Sequence, residues 1–366
     1  MNAEKKLFGD GLQDDTATIQ EMLDRCGYVY LPSGTYLITR PLIIHSNTHF
    51  HLAQTAILKL ADHANCSILD NDGLYSDIPN ENVTIEGGIW DGNHEFQERQ
   101  KIPNEGRPCD ENEDKPCEKE TYISNIYIVM MVRLIHINRL LIKNVTYKNP
   151  TSYAVQIGDV KDFKVENITF DYALTKRNMD GIHIQGPARF GYIHNIFGNA
   201  NDDHVALCAN GTIRSAVTRG AIEDITIDGI YCDNGYTGVR LLSRGDPVRN
   251  ITVSNIHGAF RFHAVSFTHH YPLRDDMPVL IENVTLNNLF IAKSKKIDSD
   301  PLFSRFTNEP LIWFENGVNC KNIVIEKVFR DWSDRRATLP TVYRSENANV
   351  ENLVVRDLYE EKPKEE

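Results

Sequence analysis

One short phrase recurs along this chain and constrains its fold more than any other feature. Asn-(Val/Ile)-Thr followed by an apolar or aromatic residue begins at Asn82, Asn144, Asn167, Asn250 and Asn283, with looser versions at Asp224, Asn322 and Asn352. Each copy leads into a second short apolar run and a Gly or Asn turn. Asn144 and Asn167 are 23 residues apart, and other intervals are longer, as loops of varied length would make them. Short strands at a period in the twenties, with little helix between them, predict a β-solenoid. One coil cannot bury its inner face, whereas stacked coils share a continuous core. The phrase also matches the N-glycosylation pattern. Its recurrence fits coil corners better, since asparagine tolerates left-handed geometry and bonds neighbouring backbone.

The expected fold is therefore all-β: a single-stranded right-handed parallel β-helix forming one domain over residues 1–366. A solenoid also explains why 366 residues show no linker, because each repeat needs burial only against its neighbours. Residues 1–30 are expected to cap the open end. There GDGLQDDTATIQ leads into a short helix, capped by Asp14 or Asp15, with Ile19, Met22, Leu23 and Cys26 on one stripe. Two polar, proline-containing stretches, 92–120 and 293–309, read as loop insertions, and 360–366 as a flexible tail.

Stacking the coils turns the sequence into a contact map, because equivalent residues of parallel coils lie about 4.8 Å apart. With Ala154–Ile157, Gly181–Ile184, His204–Leu207, Gly238–Leu241 and Ala264–Phe267 aligned, two apolar ladders form. Val155, Ile182, Val205, Val239 and Val265 make one; Ile157, Ile184, Leu207, Leu241 and Phe267 make the other. Gln156, His183, Ala206, Arg240 and Ser266 then face outward. One position before the strands come Tyr153, Asp180, Asp203, Thr237 and His263, so Asp180 and Asp203 become neighbours with Asp202 beside them. These aspartates are expected at a corner, projecting to solvent, since burying unpaired carboxylates costs several kcal/mol each, roughly.

Like charges so close raise the pKa of one member, leaving an acid beside a carboxylate at neutral pH. Glycosidic hydrolysis needs that pair: the acid protonates the leaving oxygen and the carboxylate activates water. A calcium site or a hydrogen-bonded acidic corner is the alternative reading of the same residues.

These residues resemble glycoside hydrolase family 28, the polygalacturonases and their relatives. GDGLQDDTATIQ and YLPSGTYLIT are similar to the entry segment of many pectin-active β-helices. NMDG at Asn178–Gly181 resembles the family's Asn-Thr-Asp-Gly, and the pair in NDDHVAL follows at about one coil. The resemblance implies an inverting, metal-free and cofactor-free hydrolysis. It makes Asp202 the general acid, makes Asp180 and Asp203 the water-activating bases, and puts Asn178 at the sugar or the cluster. Two family motifs are missing. NGYTG puts Tyr236 where the family has the histidine of Gly-His-Gly, and FRFHAVSF stands where Arg-Ile-Lys is expected; the register favours this over GVRLL as a degenerate Arg-Ile-Lys with Arg240 kept and Leu242 for lysine. Those basic residues hold galacturonate in the family, so bond cleavage carries over better than pectin does.

His183, His204, Tyr236, Arg240 and His263 complete the expected sugar-binding face, with Arg244, His269 and His270 as further cleft candidates. Carbohydrate is the expected partner. A net charge of −12 argues against a general nucleic-acid surface, and no apolar run reaches membrane-spanning length. MNAEKKLF lacks the apolar stretch of a secretory signal, which points to the cytoplasm, or to secretion if a leader has been removed. The seven cysteines fit free buried thiols, Cys109 and Cys117 being the one pair suited to bridging. No clustered Cys/His spacing suggests a metal. A lyase or epimerase, with Tyr236 or Arg240 near the base position, and a tailspike-like glycan-binding protein without catalysis are the competing functions.

Overall fold

The computed structural model describes residues 6–76, 78–98, 130–176, 178–210, 217–269, 277–294, 309–332 and 339–361. Its strands form one continuous parallel sheet wound into a right-handed β-helix, each strand hydrogen-bonding to its equivalent one coil before and one coil after. The expected register holds. Val155 pairs with Ile182, Ile182 with Val205, Val205 with Val239 and Val239 with Val265. The ladder extends to Leu42, Leu69 and Val132 on one side and to Ile312 and Val342 on the other. From Leu42 to Ile312 all of these side chains are fully buried. Each contributes about 1.5–3 kcal/mol relative to exposure, so the inner ladders fix which face of every strand turns inward.

The recurring asparagines occupy corners with left-handed backbone, as their chemistry predicts, but they form two ladders, not one. Asn82, Asp224, Asn250, Asn283, Asn322 and Asn352 stack at one corner, all with φ of 54–59°. Asn144, Asn167 and Asn195 stack at the next corner, with φ of 57–59°. Within each ladder an amide Nδ2 donates to the side-chain oxygen one coil earlier: Asn283 to Asn250 at 3.0 Å, Asn322 to Asn283 at 2.9 Å, Asn195 to Asn167 at 3.0 Å. An identical local phrase thus serves two corners, because both demand the same φ and the same amide chain.

The entry end carries one helix, Thr16–Leu23, with Ile19 and Leu23 fully buried over the first coils. Asp14 Oδ1 accepts the Thr16 N–H at 2.9 Å, while the Asp15 carboxylate turns back to the Phe8 and Gly9 N–H groups at 2.7 and 3.0 Å. Cys26 departs from the expected stripe: it lies past the helix end at φ 58° and is exposed. The strand Gly27–Leu31 already pairs with Thr48–Leu52, so the first coil begins within the stretch 1–30. Glu360 and Glu361 end the last strand, Asn349–Glu361, and residues 362–366 lie outside the described residues.

Most of the 92–120 and 293–309 insertions, Cys109, Cys117 and His270 also lie outside the described residues. All five described cysteines are free thiols; Cys208 and Cys320 are buried, and Cys66 and Cys232 half-buried. No described helix is long and apolar enough to cross a membrane.

Candidate active site

Backbone ladder bonds bring the three aspartates together. The Gly181 N–H donates to Asp203 O at 2.8 Å, and the Thr237 N–H donates to Asp202 O at 3.3 Å. Gly181 is required by packing: a Cβ there would meet Phe170 Cζ at 2.1 Å and His204 O at 2.6 Å. The glycine of NMDG therefore lets Asp180 lie tight against the coil that carries Asp202 and Asp203.

The carboxylates do not project to solvent as expected. Asp180 and Asp203 are 3% and 2% exposed. Burial is sustained by partners that the parity argument left out. His183 Nδ1 donates to Asp180 Oδ2 at 2.7 Å, and its ring stacks on Tyr153 with centroids 4.2 Å apart. Arg240 spans the other two aspartates, with Nε 2.8 Å from Asp203 Oδ2 and Nη2 3.4 Å from Asp202 Oδ1. It reaches them from the outward position of the next coil, where Arg240 pairs with Ala206.

Two buried carboxylates and the half-buried Asp202 lie around one guanidinium, and the electrostatics follow. Burial, then the charge of Asp202, pushes the Asp180 pKa well above the usual carboxylate range. Burial outweighs Arg240 and also raises Asp203 well above that range. Asp202 is raised too, by burial against the pull of Arg240. The cluster therefore keeps a proton to higher pH than isolated aspartates would, which places an acid beside a base. Arg240 itself stays charged: burial disfavours its cation, but Asp203 and Asp202 hold it protonated.

Two of the expected sugar contacts have no exposed surface. His204 is fully buried; Nδ1 faces Thr237 O at 2.8 Å and Nε2 takes the Ala200 N–H at 3.3 Å. Its ring packs near Phe170 and Phe260. Strand parity alone would turn His204 outward with Ala206, but at the corner where the strand begins its ring is taken up between Phe170 and Phe260. His263 is fully buried as well, its Nδ1 donating to Pro310 O at 2.6 Å and its ring stacked on Trp313 at 4.8 Å. Burial lowers the pKa of both imidazoles and keeps them neutral.

Asn178 sits at a left-handed corner (φ 55°) two residues before Asp180, and its carbonyl accepts the Ser152 hydroxyl at 3.3 Å. Tyr236 lies on the same coil edge as Asp202 and stacks on Phe262 at 5.1 Å. Burial, then the Asp202 charge, raises its phenol well above the ordinary value, so it is a neutral hydrogen-bonding group and not a base. His269 is turned to Asn316 O at 2.8 Å, and Arg244 is half-buried.

Sequence reasoning missed Arg261. Its guanidinium lies 5.6 Å from the Tyr236 ring centroid, donates to Asn201 Oδ1 at 2.6 Å, and draws the Asp202 pKa downward. The signal was present in FRFHAVSF, where the family's Arg-Ile-Lys is expected, but read as a lost motif it went unused. Tyr153, one step along the same ladder as Asp180, was aligned there without being given a role.

A parallel β-helix carrying three clustered aspartates on adjacent coils has the architecture of the pectin-active β-helix class. The family comparison makes the assignment specific: the model of Glycosyl hydrolases family 28 matches residues 81–329, and the chain belongs to that family. Residues 5–98 match the model described as Rhamnogalacturonase A/epimerase, pectate lyase-like. In overall shape the chain is similar to the Yersinia enterocolitica family 28 exopolygalacturonase, with 14% identity over 98% of this chain and 77% of that one (TM-score 0.56). It is equally similar to the endo-xylogalacturonan hydrolase of Aspergillus tubingensis, with 16% identity over 97% and 93% (TM-score 0.56). A curated relative, the plasmin and fibronectin-binding protein A of Streptococcus pneumoniae, is 26% identical over 348 residues, 79% of this chain. The chain spans 45% of that relative's length.

Proposed function

We propose that this protein hydrolyses glycosidic bonds of a poly- or oligosaccharide with inversion at the anomeric carbon. Asp202 donates its proton to the leaving glycosidic oxygen as that bond breaks. Asp180 and Asp203 take a proton from the water whose oxygen forms the new bond on the opposite face of the sugar. The observation that carries this reading is the clustering itself: three carboxylates on adjacent coils, Asp180 and Asp203 buried and Asp202 half-buried, with one arginine paired to the Asp202–Asp203 pair. Asn178, His183, Tyr236, Arg240 and Arg261 surround the acids with donors suited to sugar hydroxyls. A lyase or epimerase is less well supported, because Tyr236 is held neutral and Arg240 protonated, leaving neither as a base.

One observation favours a second reading, a glycan-binding protein without turnover. Arg240 already ion-pairs with both members of the acid pair, a contact that weakens Asp202 as a proton donor. Reducing-sugar release from defined oligosaccharides separates the two. Hydrolysis requires measurable release by the wild type and its loss, by at least two to four orders of magnitude, in Asp202→Asn with an unchanged circular dichroism spectrum. Full activity in that variant refutes the role of Asp202. Glycan binding that persists in the variant, with no wild-type turnover, selects the second reading.

A further inference from the structure

A second cluster of chemistry-bearing side chains stands on a different face of the solenoid, several coils before the aspartates. The strand Thr48–Leu52 reads THFHL, so Thr48, Phe50 and Leu52 turn inward while His49 and His51 turn outward together. Their rings are nearly parallel, 14° apart with centroids at 5.7 Å. Stacking brings Glu86 of the next coil beside His51. One ligand atom from each of His49, His51 and Glu86 lies within 4.8 Å of the others. Glu86 Oε2 accepts from His49 Nε2 at 2.9 Å.

The geometry points to a site for a divalent transition-metal ion of the zinc class, held by His49, His51 and Glu86 with solvent completing the shell. Two imidazoles and a carboxylate form a donor set that suits zinc and its neighbours and does not suit calcium or magnesium. A tetrahedral ion holding the three atoms at about 2.1 Å needs them about 3.4 Å apart, so modest side-chain rotation closes the set. His49 and Glu86 are 35% and 17% exposed, which leaves an entry path from solvent.

The coil on the far side supplies a supporting partner. The Tyr28 hydroxyl lies 2.7 Å from His51 Nδ1. A hydrogen bond there fixes the ring and leaves Nε2 as the ligating nitrogen, the arrangement that outer-shell partners give to metal-bound histidines. One contact works against an ion: Lys143 Nζ lies 3.2 Å from Glu86 Oε2 and competes for the carboxylate. That competition supplies a discriminating test, because the alternative is a polar ladder of ordinary cross-coil hydrogen bonds. The sequence contained the His-x-His spacing, but Glu86 lies far along the chain and only coil stacking brings it close.

Calorimetric titration of the full chain with zinc chloride tests the site, with calcium chloride as control. One equivalent of zinc should bind and raise the melting temperature, while calcium gives no such shift. His51→Gln and Glu86→Gln should each weaken zinc at least tenfold, and Lys143→Met should tighten it several-fold. A wild-type chain that takes up no zinc overturns the proposal. So does unchanged affinity in His51→Gln and Glu86→Gln, which would put the ion elsewhere. If those variants fail to fold, Lys143→Met keeps all three ligands and still decides: unchanged or weaker zinc binding contradicts the site. None of these residues touches the aspartate cluster, so reducing-sugar release reports on that cluster independently.

Discussion

At the scale of single residues, the aspartate cluster is an arrangement in which stability is set against chemistry. Asp180 is buried with its pKa raised, so its contribution to stability is fully present below the ordinary aspartate value. That contribution is lost as pH rises through the folded-state value, because ionisation then occurs in a site that disfavours charge. Asparagine at this position still offers an oxygen to His183 and carries no charge. Asp180→Asn should therefore raise stability by about 1 kcal/mol at neutral pH, with the gain growing toward alkaline pH and vanishing below about pH 4. Thermal melts across pH read this directly, and a gain that grows toward acid contradicts the raised pKa. Arg240 works in the opposite sense. Arg240→Met removes the partner of buried Asp203 and half-buried Asp202 and should destabilise the fold by about 3 kcal/mol. It should also move the alkaline limb of any activity profile to higher pH, since the cation that lowers both aspartates is gone.

At the scale of the coil, the corner asparagines hold the turns as much as the apolar ladders hold the core. Asn283 sits at φ 54°, donates to Asn250 Oδ1 and accepts from Asn322 Nδ2. Alanine keeps neither amide bond and is strained in that conformation by about 1–2 kcal/mol. Glycine loses the bonds but adopts the backbone freely. Asn283→Ala should therefore lower stability by roughly 2–3 kcal/mol, and Asn283→Gly by less. Denaturant midpoints of the two variants check this order, and equal losses would mean the amide chain alone matters. The strand register was legible in the sequence because period-two burial and parallel stacking leave one alignment that keeps both inner ladders apolar. The assignment of Asn144 and Asn167 to a separate corner was not legible. Both corners select for the same phrase, and only the cross-coil pairing of the strands tells them apart.

At the scale of the whole molecule, the solenoid converts distant sequence into adjacent chemistry. The proximity of Asp180, Asp202, Asp203 and Arg240 was recoverable from register, since Asp180 and Asp203 share one ladder, Asp202 adjoins it and Arg240 stands on the outward ladder one coil on. Burial of the aspartates was not recoverable, because it depends on Tyr153, His183 and Arg240 closing over them. His204 and His263 were misplaced for a related reason: a histidine beside a catalytic motif reads as polar, yet each turns into packing and meets a backbone carbonyl. In the proposed mechanism this triad cleaves glycosidic bonds by single displacement. Proton NMR of the anomeric signals during digestion of a defined oligosaccharide by the wild-type chain tests it most directly. The first new reducing end should appear as the anomer opposite to the bond cleaved, before mutarotation. First appearance of the retained anomer, or of an unsaturated product with no new hemiacetal derived from water, would contradict it.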